Sequence, residues 1–251
     1  MNVSSGIAAV DHYLTEGFLS VRGMSSRFAA AIAGATMRFQ TEHGISGHAA
    51  EIGTFEGRFF IALAHALRTD ERAIGIDRFS WPDKGLRARF ERNCALHGPE
   101  AGRMIIVEAN SRELEPETLL ALAPGRRIRF FHVDGDHDSG GLAKDLALAR
   151  DTIEPAGVIC LDDMLHPGYP LLAVTLAGFL GANPELRVFC VVDREDIVAA
   201  TKFMICRTEH AAFYIEALMR SFPEHVWGMV ADFETYEALV LAPDPKVADI
   251  G

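Results

Sequence analysis

The chain has 251 residues, an apolar fraction of 49%, and 24 basic against 35 acidic residues, for a formal charge of −11. An apolar fraction of that size builds a substantial core and excludes a disordered main state. The acidic balance argues against a surface made for nucleic acid or for anionic membranes.

The N-terminal MNVSSGIAAVDHYLTEG lacks a basic segment, and Asp11 and His12 cut its apolar run short. No apolar stretch reaches the roughly 18 residues of a membrane span, so a soluble, cytoplasmic protein is expected. Cys94, Cys160, Cys190 and Cys206 lie scattered in apolar segments with no C-x-x-C pair and read as reduced, buried small hydrophobes.

In chain order, the helical DHYLTEGFL precedes the Ala-rich SSRFAAAIAGATMRFQTEHG, which offers Ser25 or Ser26 as a cap and Gly44 as a stop. Residues 1–47 therefore read as an N-terminal helical cap. From His48, short apolar runs alternate with helix-period segments: HAAEIG, GRFFIALAHAL, RAIGID, LRARFERNCALHG and RMIIVEAN. RRIR, residues 126–129, reads as a solvated turn leading into IRFFHVD. Then come the helix GGLAKDLALARDTI, with Leu142, Leu146, Ala149 and Ile153 on one face, the turn EPAG and the strand VICLDDM.

This alternation marks βαβ units and predicts an α/β, doubly wound, Rossmann-like and mostly parallel sheet over residues 48–210. LRVFCVVD and TKFMICR are too close in sequence for a crossover helix and predict an antiparallel pair at the sheet edge. Residues 211–251 are expected to form a helical extension ending in a frayed tail, APDPKVADIG. Apolar helices at both ends suit a homodimer.

Ligands of open α/β sheets bind at the carboxyl ends of the strands, so the residues closing each run carry the chemistry. The first run closes as EIGTFEG, where Gly53 and Gly57 permit a tight turn into a helix N-terminus. The second closes on Asp77, where such folds bind ribose hydroxyls. The fourth closes as FFHVDGDHD, whose alternating Asp134, Asp136 and Asp138 repel one another unless a cation, solvent or ligand compensates. If FFHVD and VICLDD are neighbouring parallel strands, about 4.8 Å apart, Asp134 ends near the Asp162 and Asp163 pair. Carboxylates so placed suit a hard divalent cation.

The ordered set EIGTFEG, GIDRF, EANS, FFHVDGDHD and VICLDDM resembles the class I S-adenosylmethionine-dependent methyltransferases. Within them it is most similar to the metal-dependent O-methyltransferases of the catechol type and of the sugar-modifying type of macrolide biosynthesis. The resemblance covers roughly residues 48–165. It implies that Glu51, Gly53, Thr54, Phe55 and Gly57 surround the methionine part of the cofactor. Asp77 and Arg78 would then serve the ribose, Asn110 and Ser111 the adenine edge, and Asp134 both cofactor and metal.

It further implies a Mg2+ or other divalent ion on Asp134, Asp162 and Asp163, with His137 as general base. Asp163 stands where the catechol type carries asparagine, which favours the sugar-modifying type. The activity implied is methyl transfer to a hydroxyl of a small molecule such as a sugar, phenol or polyketide, with neither nucleic acid nor membrane as partner. A metal-independent N- or C-methyltransferase and a non-catalytic cofactor-binding protein are the alternatives.

Several residues also have plainer explanations. D-G-D-H-D-S-G-G-L-A-K-D imitates a calcium loop, but Ser139 stands where that loop needs glycine and an apolar strand precedes it. One of Asp136 and Asp138 is expected to cap the following helix while the other faces water. His132, inside an apolar strand, reads as a satisfied core histidine. His166 and Tyr169 are placed to touch substrate, and Phe79 and Trp81 either stack on adenine or pack.

Overall fold

The computed structural model describes residues 3–100 and 102–244. Two helices, α1 (Ala8–Glu16) and α2 (Arg27–Glu42), precede the sheet. The Ser26 side chain accepts from the Ala29 amide and starts α2. The core then runs β1 (His48–Ile52), α3 (Arg58–His65), β2 (Ala73–Asp77), α4 (Leu86–His97), β3 (Met104–Glu108), α5 (Pro116–Ala121), β4 (Ile128–Val133), α6 (Ser139–Thr152) and β5 (Ile153–Met164). It continues as α7 (Leu171–Ala182), β6 (Leu186–Val192), β7 (Thr201–Arg207), α8 (Thr208–Ser221), β8 (Ala231–Asp232) and β9 (Glu237–Leu241). No helix among the described residues is long and apolar enough to cross a membrane.

The strands form one nine-stranded sheet in the order β3-β2-β1-β4-β5-β7-β6-β9-β8. The first five are mutually parallel, while β7 runs antiparallel to both β5 and β6. Side chains alternate between two buried faces except where the register shifts in β4 and β6. On one, Ala49, Phe130, Cys160 and Met204 pack with the apolar sides of α1 to α4 and α8. On the other, Ile52, Phe131, Ile159 and Ile205 pack with those of α5 to α7. The fold is therefore the doubly wound, mostly parallel α/β sheet expected, and the strand order reverses between β1 and β4, where such sheets open a ligand crevice.

Four local expectations are corrected. The antiparallel pair β6 and β7 lies inside the sheet, because β9 pairs in parallel with β6 and β8 adds beyond it. The helix read through the C-terminal region ends at Ser221. Residues 237–241 form a strand instead, with Ala238 and Val240 on one face and Leu239 and Leu241 on the other. EPAG is no turn but part of β5, where the register against β4 shifts, and a bulge is where a strand accommodates Pro155. Arg129, read within a solvated turn, is fully buried. The expected tail beyond Pro243 lies largely outside the described residues.

Candidate active site

The carboxyl ends of β1, β4 and β5 and the amino end of the antiparallel β7 converge on one polar patch. After β1 the chain turns through Gly53 at φ +82°, Phe55 at φ +48° and Gly57 at φ +94°, then enters α3. A Cβ at position 53 would overlap the Asp134 carbonyl oxygen, so only glycine lets the first turn lie against the end of β4. Asp77, closing β2, accepts from the Phe55 amide at 3.0 Å and the Phe79 amide at 2.7 Å. It thereby ties together two turns that are both forced to positive φ, and each carboxylate oxygen keeps a lone pair for another donor. Phe79 packs on Phe90, whereas Trp81 is exposed beside Phe55.

At the adenine edge expected from the sequence, Asn110 caps a short 3-10 turn, accepting from the Arg112 amide. Arg78 pairs with Asp136 at 2.6 Å, and Arg112 bridges Asp136 and Asp138. Asp138 also caps α6, accepting from the amides of Gly140 and Gly141. Of the two acids, Asp138 is the helix cap expected of one of them, while Asp136, expected to face water, is paired with Arg78 and Arg112. Asp145 is buried behind them, its pKa raised to about 6 by burial.

Asp134, His137 and Asp163 form the acidic cluster, with ligand-type atoms within 4.8 Å of one another. His137 Nε2 lies 2.6 Å from Asp163 Oδ2 and 3.7 Å from Asp134 Oδ1. The two carboxylates raise its pKa to about 10, against some loss of hydration. Burial and the neighbouring Asp162 and Asp163 push Asp134 upward in turn. Asp163 and Leu165 both adopt positive φ, a strained turn that presents the Asp163 carboxylate to the cluster. The His137 ring stacks on Tyr169 at 4.2 Å, and Tyr169 on His166 at 4.7 Å.

Asp162, expected as the third metal ligand, is not in this cluster. Its Oδ1 accepts from the Asp163 amide, and its Oδ2 is ion-paired with the buried Lys202 of β7. Lys202 also reaches His132 Nε2 at 3.1 Å, and His132 Nδ1 lies 2.7 Å from Glu51 Oε1. Register explains the row. Glu51 faces His132 across β1 and β4, and Asp162 follows Cys160 by two residues, as Lys202 precedes Met204 by two, all on one face. Burial lowers the pKa of His132, helped by Lys202, so the ring is neutral; burial raises Glu51. Burial works against the charge of Lys202, but Asp162, Cys160 and Asp134 together raise its pKa, so it keeps its proton.

His132 is a core histidine bonded through both ring nitrogens, as its strand position suggested. Lys202 was missed. Its signal was a lysine inside TKFMICR, a strand apolar on both faces, which needs a buried counter-charge. Ser25 Oγ, 3.4 Å from Lys202, opens onto a crevice of about 360 Å3 between residues 18–27 and 195–199. Phe18, Met24, Arg27, Glu195 and Val198 are among its walls.

Residues 50–164 match the family profile described as a methyltransferase domain. The fold is similar to that of CalS11, a TDP-rhamnose 3′-O-methyltransferase of calicheamicin biosynthesis, at 20% identity and TM-score 0.56, covering 79% of this chain and 91% of the other. The O-methyltransferase TomG from Streptomyces achromogenes, solved with S-adenosylmethionine, gives 17% identity and TM-score 0.54 over 80% and 90% of the two chains. The S-adenosylhomocysteine-bound Podospora anserina methyltransferase PaMTH1 gives 16% and 0.54 over 80% and 88%. A sequence comparison with curated proteins gives no match. Residues 50–164 thus match a methyltransferase domain, and the fold of the chain is similar to that of solved methyltransferases.

Proposed function

We propose that the protein is an O-methyltransferase that moves the methyl group of S-adenosylmethionine to a hydroxyl of a small molecule, with a divalent cation at the acidic cluster and His137 as general base. One observation carries the reading. The Gly53 turn abuts the end of β4, so the cofactor-type turn lies against Asp134, a member of the cluster with His137 and Asp163. CalS11 and TomG are both O-methyltransferases, which favours a hydroxyl acceptor of sugar or natural-product type.

The residues present fit the cofactor. Glu51 Oε2 is buried without a hydrogen-bond partner, as is Thr54 Oγ1. An unpaired buried carboxylate oxygen beside a glycine turn suits the ammonium of the cofactor's methionine part. Asp77 retains lone pairs for ribose hydroxyls, and Asn110 and Ser111 border the adenine edge. The cofactor supplies a methyl group on a sulfonium, poised for in-line displacement. The donor set also fits a hard cation, because Asp134 and Asp163 offer carboxylate oxygens across one gap. Such a cation, Mg2+ being the simplest, lowers the pKa of a bound hydroxyl.

The two carboxylates that keep His137 protonated in the free protein would be drawn to the cation when it binds, which would leave the imidazole neutral and its Nε2 able to receive the hydroxyl proton. Tyr169, stacked on the ring, fixes its plane. Tyr169 and His166 form the wall nearest the acceptor.

The test is calorimetric titration of metal-free protein with S-adenosylhomocysteine, with and without magnesium, followed by turnover of hydroxylated acceptors in chelator. Saturable binding and chelator-sensitive turnover are expected. Absence of binding defeats the reading, and full activity in chelator defeats the metal role. His137→Ala should lose about 10²- to 10⁴-fold in kcat while keeping metal affinity; a lost metal affinity would make His137 a ligand instead.

A further inference from the structure

We propose that Lys202 is a positioning residue for both halves of the site: an internal cation that holds Asp162 out of the metal ligand set and, through His132, turns Glu51 toward the cofactor. The inference rests on the function proposed above. Its basis is the completeness of the lysine's surroundings. The three donors of the ammonium meet three acceptors, Asp162 Oδ2, His132 Nε2 at 3.1 Å and Ser25 Oγ at 3.4 Å. The Phe59 ring lies 4.8 Å from the nitrogen, adding a cation–π contact from above. With 1% of its side chain exposed, Lys202 is buried.

Two consequences follow, one on each side. On the acceptor side, both oxygens of Asp162 are engaged, one by Lys202 and one by the Asp163 amide. A cation at Asp134 and Asp163 would have to compete with a fixed ammonium for the third carboxylate. On the cofactor side, an ammonium can only donate, so His132 Nε2 must accept and the ring proton must sit on Nδ1. That proton is then donated to Glu51 Oε1, which leaves Oε2 buried and unpaired for the cofactor. Phe59 at 4.2 Å from the His132 ring keeps the imidazole from rotating out of this arrangement. Lys202 thus fixes a tautomer on one side and a ligand count on the other.

The experiment titrates wild type, Lys202→Met and the double variant Lys202→Met/Asp162→Asn with magnesium alone and with S-adenosylhomocysteine. The 15N shifts of the His132 ring are read alongside. Lys202→Met frees a carboxylate beside the cluster, so magnesium should bind roughly tenfold tighter or more. S-Adenosylhomocysteine should bind roughly tenfold weaker as the Nδ1–H tautomer loses its lock. The double variant carries neither buried charge. It should keep the S-adenosylhomocysteine defect and return magnesium affinity to near that of wild type, which a purely structural role would not produce.

Should Lys202→Met fail to fold, the double variant decides by the same two readings. Magnesium bound much more weakly by the double variant makes Asp162 a ligand and overturns the proposal. An unchanged affinity for S-adenosylhomocysteine, with an unchanged His132 tautomer, overturns it too. Wild type that binds no S-adenosylhomocysteine overturns the functional reading and this inference together. Wild type that binds it, with variants indistinguishable from it, overturns the inference alone.

Discussion

Two buried ion pairs occupy opposite ends of one sheet and differ in what surrounds them. At the amino end, Arg129 at the start of β4 pairs with Glu71 at 2.8 Å, both side chains fully buried. Arg129 also donates to the carbonyls of Gly47, Met37 and Ala66 and to Gln40 Oε1. Glu71 accepts from the amides of Gly47 and Arg68, and neither residue leaves a side-chain atom without a partner. At the carboxyl end, the pair of Lys202 and Asp162 is likewise saturated, but the groups it supports are not. Glu51 Oε2 and Thr54 Oγ1 have no partner, and Phe55, Phe79, Asp163 and Leu165 are all held at positive φ. The network of Arg129 and Glu71 is closed and holds the fold together, whereas the unpaired atoms and strained turns at the carboxyl end are those that the proposed cofactor would complete.

The largest effect should come from breaking the closed end. Arg129→Met leaves Glu71 buried and uncompensated, which costs about 3–5 kcal/mol. Urea unfolding should show that loss, while affinity for S-adenosylhomocysteine in the folded fraction stays at the wild-type value. A variant that is stable but binds poorly would mean that the amino end serves the site directly.

Glu51→Gln is the counterpart at the open end. On the proposed reading the amide replaces the carboxyl group that would receive the cofactor's ammonium, and losing one charge-assisted hydrogen bond there would be worth about 1.5–3 kcal/mol, or roughly tenfold to a hundredfold in Kd. Stability should change little, because burial already disfavours the Glu51 charge. Calorimetry and unfolding on the same sample separate the two outcomes. A large stability loss with intact affinity would place Glu51 with the structural residues.

The two ends were also unequally legible in the sequence. The Gly53 turn, Asp77 and the acids after β4 were readable because each is local: a few consecutive residues at the end of an apolar run. Lys202 was not, because its partners Asp162 and His132 lie 40 and 70 residues earlier and meet it only after β7 inserts antiparallel beside β5. Arg129 was misread for the same reason. Its neighbours Arg126 and Arg127 do sit near the surface, paired with Asp70 and with backbone carbonyls, while Arg129 itself reaches back to Gln40 and Glu71. The strand at 237–241 was taken for helix since its partner, β6, is supplied by the tertiary fold and not by local propensity.

A third test uses pH and metal. Asp134 and Asp163 raise the pKa of His137 from 6.5 to about 10 in the metal-free protein. A group whose pKa is raised on folding stabilises fully below its unfolded value, and that contribution is lost as pH climbs through the folded one. Asp134, also raised, acts with the same sign. The Tm of metal-free protein should therefore fall from about pH 4 to pH 10, through the range of Asp134 up to about pH 8 and through that of His137 up to about pH 10. Magnesium, taking over the two carboxylates, should flatten that fall. Scanning fluorimetry at several pH values checks both, and a flat metal-free profile would mean that the cluster is not holding an imidazolium.

The smallest effect probes α2, the helix that joins the two ends. Ser25, just before it, touches Lys202, and Met37 and Gln40, near its far end, receive Arg129. Ser26→Ala removes the acceptor for the Ala29 amide and should cost about 1 kcal/mol, as loss of an N-cap commonly does. Because the loss lies at the first turn, it should be felt where Ser25 meets Lys202 and not at Arg129. Hydrogen exchange should accordingly speed up at the start of α2 and leave the amides around Gln40 as protected as before. Equal loosening along the whole helix would mean that α2 moves as one rigid rod, and that the two ion pairs are mechanically coupled through it.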